Sequence, residues 1–113
     1  MEPEGYFHTF QSYVAMLDLE KLGCLSVEEG GAFRNRLLEE LETEDGIATR
    51  QGTHAVHTLG YYVRRFHFEK EEIPNAYACD RLSITLPLYV GLSEGDQAYV
   101  VSKLREKIDR MKG

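Results

Sequence analysis

The clearest periodicity in the chain lies near its C-terminal end. Val100, Leu104, Ile108 and Met111 recur at spacings of four, four and three, the stripe of a helix packed on one side. Ser93-Glu94-Gly95-Asp96 precedes that stripe as a capping pattern. Upstream, Phe33, Leu37, Leu38 and Leu41 share a helical face, with Arg34, Asn35, Glu39 and Glu40 off it. Ser26-Val27-Glu28-Glu29 has the S-x-x-E spacing of a capping box. The Gly30-Gly31 pair follows at once, so the body of this helix is expected from near Ala32 to near Gly46.

Elsewhere the period shortens. Residues 6–17 (YFHTFQSYVAML) are aromatic and β-branched, which predicts a strand. Residues 18–25 read as a loop, and residues 47–51 alternate well enough for a short strand. A turn and then a helical segment through Tyr61 and Tyr62 are expected next. Pro74 sits at the first position of another predicted helix, running into NAYACDRLSI. Pro87 within SITLPLYVGL excludes a central strand at that point and leaves a short extended edge. The order predicts an α+β fold: a small antiparallel or mixed sheet of about three short strands, with helices packed on one side. Residues 1–5 carry Pro and Gly and read as a linker or loose start, with one domain over residues 6–113.

Composition narrows the function classes. At 113 residues, with 42% hydrophobic and 28% charged, the chain has the makeup of one small globular domain. A net charge of −6 argues against a nucleic-acid partner, because no basic stripe is available to displace counterions from phosphates. Lys and Arg are interleaved with acids and read as solvated helix surface. The longest apolar run is far below the roughly 20 residues of a membrane span. The acidic opening MEPEGYFHTF lacks the basic and apolar regions of a signal peptide. Cys24 and Cys79, without CxxC spacing, read as free thiols, and the expected location is the cytoplasm.

The chemistry-bearing residues concentrate in GIATRQGTHAVH, residues 46–57. His54 and His57 are spaced for one helical face, yet zinc needs three or four ligands and neither cysteine is at ligand spacing, so no metal is expected. Lys70 stands among Glu69, Glu71 and Glu72. Those neighbours keep an amine protonated, the reverse of what a Schiff-base lysine needs. Cys79 paired with His57 is conceivable, but a thiol beside Ala76, Ala78 and Leu82 reads as structural. No glycine-rich phosphate loop and no carboxylate dyad is present. What remains is Arg50, Thr53, His54, His57, Tyr61 and Tyr62, a polar and aromatic cluster suited to a polar ligand or to packing its own loop.

Three stretches in order, HTFQSYVAML, GIATRQGTHAVHTLGYY and IPNAYACDRLSITLPLYVGLSEGDQAYVVSKL, resemble the C-terminal small domain of the DegT/DnrJ/EryC1/StrS aminotransferases. Gly46, Ile47 and Arg50 match the family's GI-x-T/S-R pattern, and His57 takes the place of its downstream His. Pro74, Ala76, Leu86, Pro87, Leu88, Tyr89, Gly91 and Leu92 match its Pro-initiated helix and LSLPLYPG segment. Tyr77 stands where the family usually has Glu, and Val90 where it usually has Pro.

The resemblance implies a fold type I small domain from a pyridoxal-phosphate enzyme that aminates nucleotide sugars for polysaccharides or antibiotics. It implies that Arg50, Thr53, His54 and His57 face the substrate. The cofactor-anchoring lysine would belong to a large domain outside this chain, so this chain alone would hold no cofactor and show no activity. The other expectation is a stand-alone binding or oligomerisation module, self-associating through an apolar face left exposed.

Overall fold

A computed structural model describes residues 3–112. The expected linker at residues 1–5 therefore lies partly outside the described residues. Two strands, β1 (Tyr13–Met16) and β2 (Ser83–Leu86), pair antiparallel, with Tyr13 opposite Leu86 and Met16 opposite Ser83. On the far edge of β2, Thr85 exchanges both backbone hydrogen bonds with Arg50: its N–H donates to Arg50 at 2.7 Å and its carbonyl accepts at 3.2 Å. Residues 47–51 were expected as a strand, yet only Arg50 bridges to the sheet.

The long strand expected over residues 6–17 is likewise reduced to four residues. Tyr6, Phe7 and Phe10 are 75%, 86% and 65% exposed, with no strand beside them among the described residues. Phe10 adopts a left-handed φ of 49°, and its N–H donates to His8 Nδ1 at 2.8 Å. That turn ends the extended backbone. Residues 18–25, expected as a loop, hold a one-turn helix, α1 (Leu19–Leu22). Asp18 caps it by accepting from the Lys21 N–H, and Gly23 closes it in the left-handed region.

Helix α2 (Val27–Asp45) begins five residues before Ala32. The Ser26 hydroxyl accepts from the Glu29 N–H at 3.1 Å, and the Glu29 carboxylate accepts from the Leu25 N–H at 2.7 Å. The Glu29 bond goes to Leu25 and not to the Ser26 N–H of a full capping box, and the two side-chain caps together offset the weak propensity of the glycine pair. Gly30 and Gly31 are buried because α1 and α4 (Pro74–Leu82) come close. A methyl group at Gly30 would strike Leu19 and Leu82, and one at Gly31 would meet Arg81. Gly46 ends α2 at φ 67°. A short helix, α3 (Gly60–Phe66), and the long α5 (Glu94–Lys112) complete the set, with 3-10 turns at Val56–Thr58 and Lys70–Glu72.

Leu37, Leu41, Ile47 and Ile84 form the buried centre. Ala15, Leu17 and Leu86 close over it from the sheet, and Val100, Leu104, Ile108 and Met111 from α5. Each such aliphatic burial contributes roughly 1.5–3 kcal/mol. One ionic seam departs from the expected solvated charge. Lys107 is only 3% exposed and lies 2.7 Å from Glu44 and 2.9 Å from Asp45, while Arg110 reaches Glu40 at 2.6 Å. Lys107 stands between Leu104 and Ile108 on the inward stripe, so its stem is covered where α2 and α5 meet.

Candidate functional site

The segment from Ile47 to Thr58 leaves the core at Ile47, bridges β2 at Arg50 and passes close to Val14 and Ser83 at Gly52, and three anchors hold it there. The Gly52 N–H donates to Ser83 Oγ at 3.1 Å, and a Cβ at Gly52 would lie 2.6 Å from Val14 Cγ1 and 2.7 Å from Ser83 Oγ. Only glycine lets this loop lie so close to the strands. The Ala55 N–H donates to Asp80 Oδ2 at 2.8 Å, fixing the loop to α4. Gln51 takes a long bond from Arg34 Nη2 at 3.4 Å and donates to the Thr53 carbonyl at 2.5 Å.

Arg34 is the deepest of these anchors. It is 2% exposed, and its Nη1 donates to the carbonyls of Asp80 at 3.1 Å and Ser83 at 2.8 Å, while Nε donates to Asn35. Burial pushes its pKa down from the usual arginine range, and Asp80 pulls it back up. Arg34, expected off the buried face of its helix, is instead buried within it. Positions 34, 37, 38 and 41 have the i, i+3, i+4, i+7 spacing of a buried face, so the signal was present and was overridden by residue type. Asp80, Gln51 and Ser83 were not singled out either, and no local pattern marks them.

The expected site residues divide into two groups. Arg50, Thr53 and His54 are exposed, and His54 Nδ1 lies 3.2 Å from Gln51 Nε2. His57 is 5% exposed. Its Nε2 lies 3.1 Å from the Lys70 carbonyl and so donates to it, and its ring meets Phe68 edge-on at 6.3 Å. His57 thus differs from the other three: in this chain it is turned inward and ties the loop to residue 70. His54 and His57 do not converge, and among the described residues no three metal-ligating side chains come together.

Among the described residues, four lysines sit beside carboxylates. Lys70 pairs with Glu28 at 2.5 Å and with Glu71 at 3.6 Å, and the Glu28 contact pushes its pKa up. Lys103 and Lys107 are raised in the same way by hydrogen bonds to Glu106 and Glu44, and Lys21 pairs with Asp18. A lysine that must lose its proton to form a covalent bond needs the opposite environment. Tyr77, at the family's usual Glu position, is buried under cations, with Lys70 and Arg81 at 5.5 and 5.3 Å from its ring and its hydroxyl donating to Glu28. The segment after β2 lines an open apolar depression of about 310 Å³ with Tyr13, Leu86, Pro87, Leu88, Leu92 and Val100.

The architecture is α+β, a two-stranded antiparallel sheet with helices packed around it. The chain belongs to the DegT/DnrJ/EryC1/StrS aminotransferase family, whose model matches residues 19–105. It is 27% identical over 99 residues to the spore coat polysaccharide biosynthesis protein SpsC of Bacillus subtilis, spanning 88% of this chain and 23% of that protein. The sugar aminotransferase candidate Spr1654 of Streptococcus pneumoniae, solved in apo and PMP forms, superposes with a TM-score of 0.70 at 25% identity. That match covers 88% of this chain and 22% of Spr1654. The chain thus spans less than a quarter of the length of either relative. Among the described residues, no helix is long and apolar enough to cross a membrane.

Proposed function

We propose that this chain is the small C-terminal domain, over residues 6–113, of a pyridoxal-phosphate-dependent nucleotide-sugar aminotransferase of polysaccharide or antibiotic-sugar biosynthesis. Its partner is a lysine-bearing large domain, its place is the cytoplasm, and it is inactive alone. The observation that carries this is the loop of residues 47–58, bolted to the sheet and α4 yet presenting Arg50, Thr53 and His54 outward. Such a loop covers the substrate side of a site whose reacting groups lie elsewhere and excludes water from it. Arg50 offers a charged fork to a polar substrate, and Thr53 and His54 offer further hydrogen bonds. His57 acts as a positioning residue through the Lys70 carbonyl.

The test is to mix the purified chain with pyridoxal phosphate, alone and together with a lysine-bearing large domain of the family. The chain alone should neither acquire a borohydride-fixable yellow adduct nor aminate a keto sugar, and the mixture should aminate it. An active chain alone overturns the reading. The second reading, a non-catalytic self-associating module, is favoured by the exposed apolar run Tyr6, Phe7, Phe10, Tyr13, Val14 and Met16. A stable homodimer that refuses the large domain would establish it.

A further inference from the structure

The chain carries 19 acidic residues, yet residues 46–68 contain none, while holding three arginines, three histidines and four Tyr or Phe rings. The structure sharpens this asymmetry. Arg36, Arg81, Arg110 and four lysines pair with carboxylates, and Arg34 is locked onto carbonyls. Among the described residues, Arg50, Arg64 and Arg65 make no ion pair and are exposed, as is Arg105 on α5, which stands next to Glu106 in sequence and apart from these three. Arg64 Nη1 folds back over Gly60, 3.0 Å from where a Cβ would stand, so its guanidinium lies along α3.

Aromatic rings accompany these cations. Tyr61 meets Tyr62 edge-on at 5.2 Å, and Tyr62 stacks on Phe66 at 6.2 Å. Tyr61 and Phe66 are 64% and 56% exposed. Unpaired guanidinium groups beside exposed rings, with no carboxylate in the segment to repel an anion, combine the two chemistries that hold nucleotides: phosphate pairing and base stacking.

We propose that α3 and its C-terminal flank form the receiving surface for the nucleoside diphosphate part of the substrate, with Arg64 and Arg65 on the phosphates and Tyr61 and Phe66 against the base. This rests on the nucleotide-sugar reading and divides the substrate, the sugar going to Arg50, Thr53 and His54. The surface belongs to the chain itself, so binding is readable without catalysis.

The experiment is an amide NMR titration of the full 113-residue chain at low salt with UDP, inorganic pyrophosphate and uridine in separate arms. UDP should shift resonances of residues 60–67 and weaken as salt rises. R64A/R65A, which changes only exposed side chains and keeps the melting temperature, should weaken UDP and pyrophosphate by about tenfold or more. Y61A/F66A should weaken UDP and leave pyrophosphate unchanged. The proposal is overturned if millimolar UDP leaves residues 60–67 unshifted, or if R64A/R65A binds it within about twofold of the parent chain. Amination restored by a large domain together with absent UDP binding would sink this surface alone. UDP binding with no amination in the mixture would sink the catalytic reading alone.

Discussion

Arg34 Nη1 lies 2.8 Å from the carbonyl oxygen of Ser83, so the middle of α2 is tied to the first residue of β2 across 49 positions of chain. A second bond from the same nitrogen takes the Asp80 carbonyl at the end of α4. One guanidinium thus satisfies two carbonyls where a helix turns directly into a strand, a junction with no loop to let water reach them.

Replacing Arg34 with Met should therefore cost about 2–4 kcal/mol, because it removes the donor and leaves buried acceptors unpaired. Arg34→Lys should recover only part of this, since an ammonium lacks the planar fork. Urea unfolding of the two variants measures it. A loss below about 0.5 kcal/mol for Arg34→Met would show that the carbonyls find water instead.

The glycines give opposite signs. Gly52→Ala places a methyl within 2.8 Å of Val14 and Ser83 side-chain atoms, with the strand backbone behind them. It should destabilise by about 1–3 kcal/mol and lift the loop bearing Arg50 and His54. For Gly31→Ala the nearest atoms belong to the Arg81 side chain, at 3.3 Å or beyond, inside a helix where alanine is favoured by roughly 1 kcal/mol. It should be neutral or stabilising. Thermal melts of the two variants side by side check the difference in sign.

The ion pairs of α2 define an acid limit. Glu44 is held below the usual carboxylate range by hydrogen bonds from Lys107 and then Arg110, Glu40 by Arg110 and then Arg36, and Glu28 by Lys70. A depressed folded-state pKa contributes stability that is fully present above the unfolded value. That contribution is lost as pH falls through the folded one. Stability should therefore hold near neutrality and decline below about pH 4.5. Glu44→Gln should flatten this acid limb, measured as urea midpoint against pH. An unchanged slope in that variant would remove Glu44 from the account.

The capped and periodic elements were legible in the sequence: α5 from its stripe, the end of α2 from Gly46 and the start of α4 from Pro74, whereas Ser83 and Ile84, expected in that helix, belong to β2, which Arg50 bridges on its other side. The first three are decided by neighbours a few residues away. The early start of α2 was obscured because Gly30 and Gly31 are explained only by α1 and α4, distant in sequence for α4. The strand over residues 6–17 was overread because strand length depends on a partner, and β2 offers only four residues. In residues 46–57 the concentration of polar side chains was visible in the sequence, but which of them are exposed was not. That depended on Arg34, Asp80 and Ser83, contributed by other elements.

The split between His57 and its neighbours is the sharpest consequence for the site. His57 is buried with its Nε2 bonded to the Lys70 carbonyl, whereas the Arg50 and His54 side chains are exposed. His57→Ala removes a buried donor and the ring packed on Phe68, and should cost about 1–3 kcal/mol in the isolated chain. Arg50→Ala and His54→Ala should stay within about 0.5 kcal/mol of the parent. In a reconstituted enzyme the order reverses. Arg50→Ala and His54→Ala should raise KM for the sugar substrate with folding intact, while His57→Asn, which keeps a donor near the Lys70 carbonyl, should restore much of both stability and KM. A His57→Ala variant with parental stability and a selective loss of kcat would instead put the imidazole at the reacting centre.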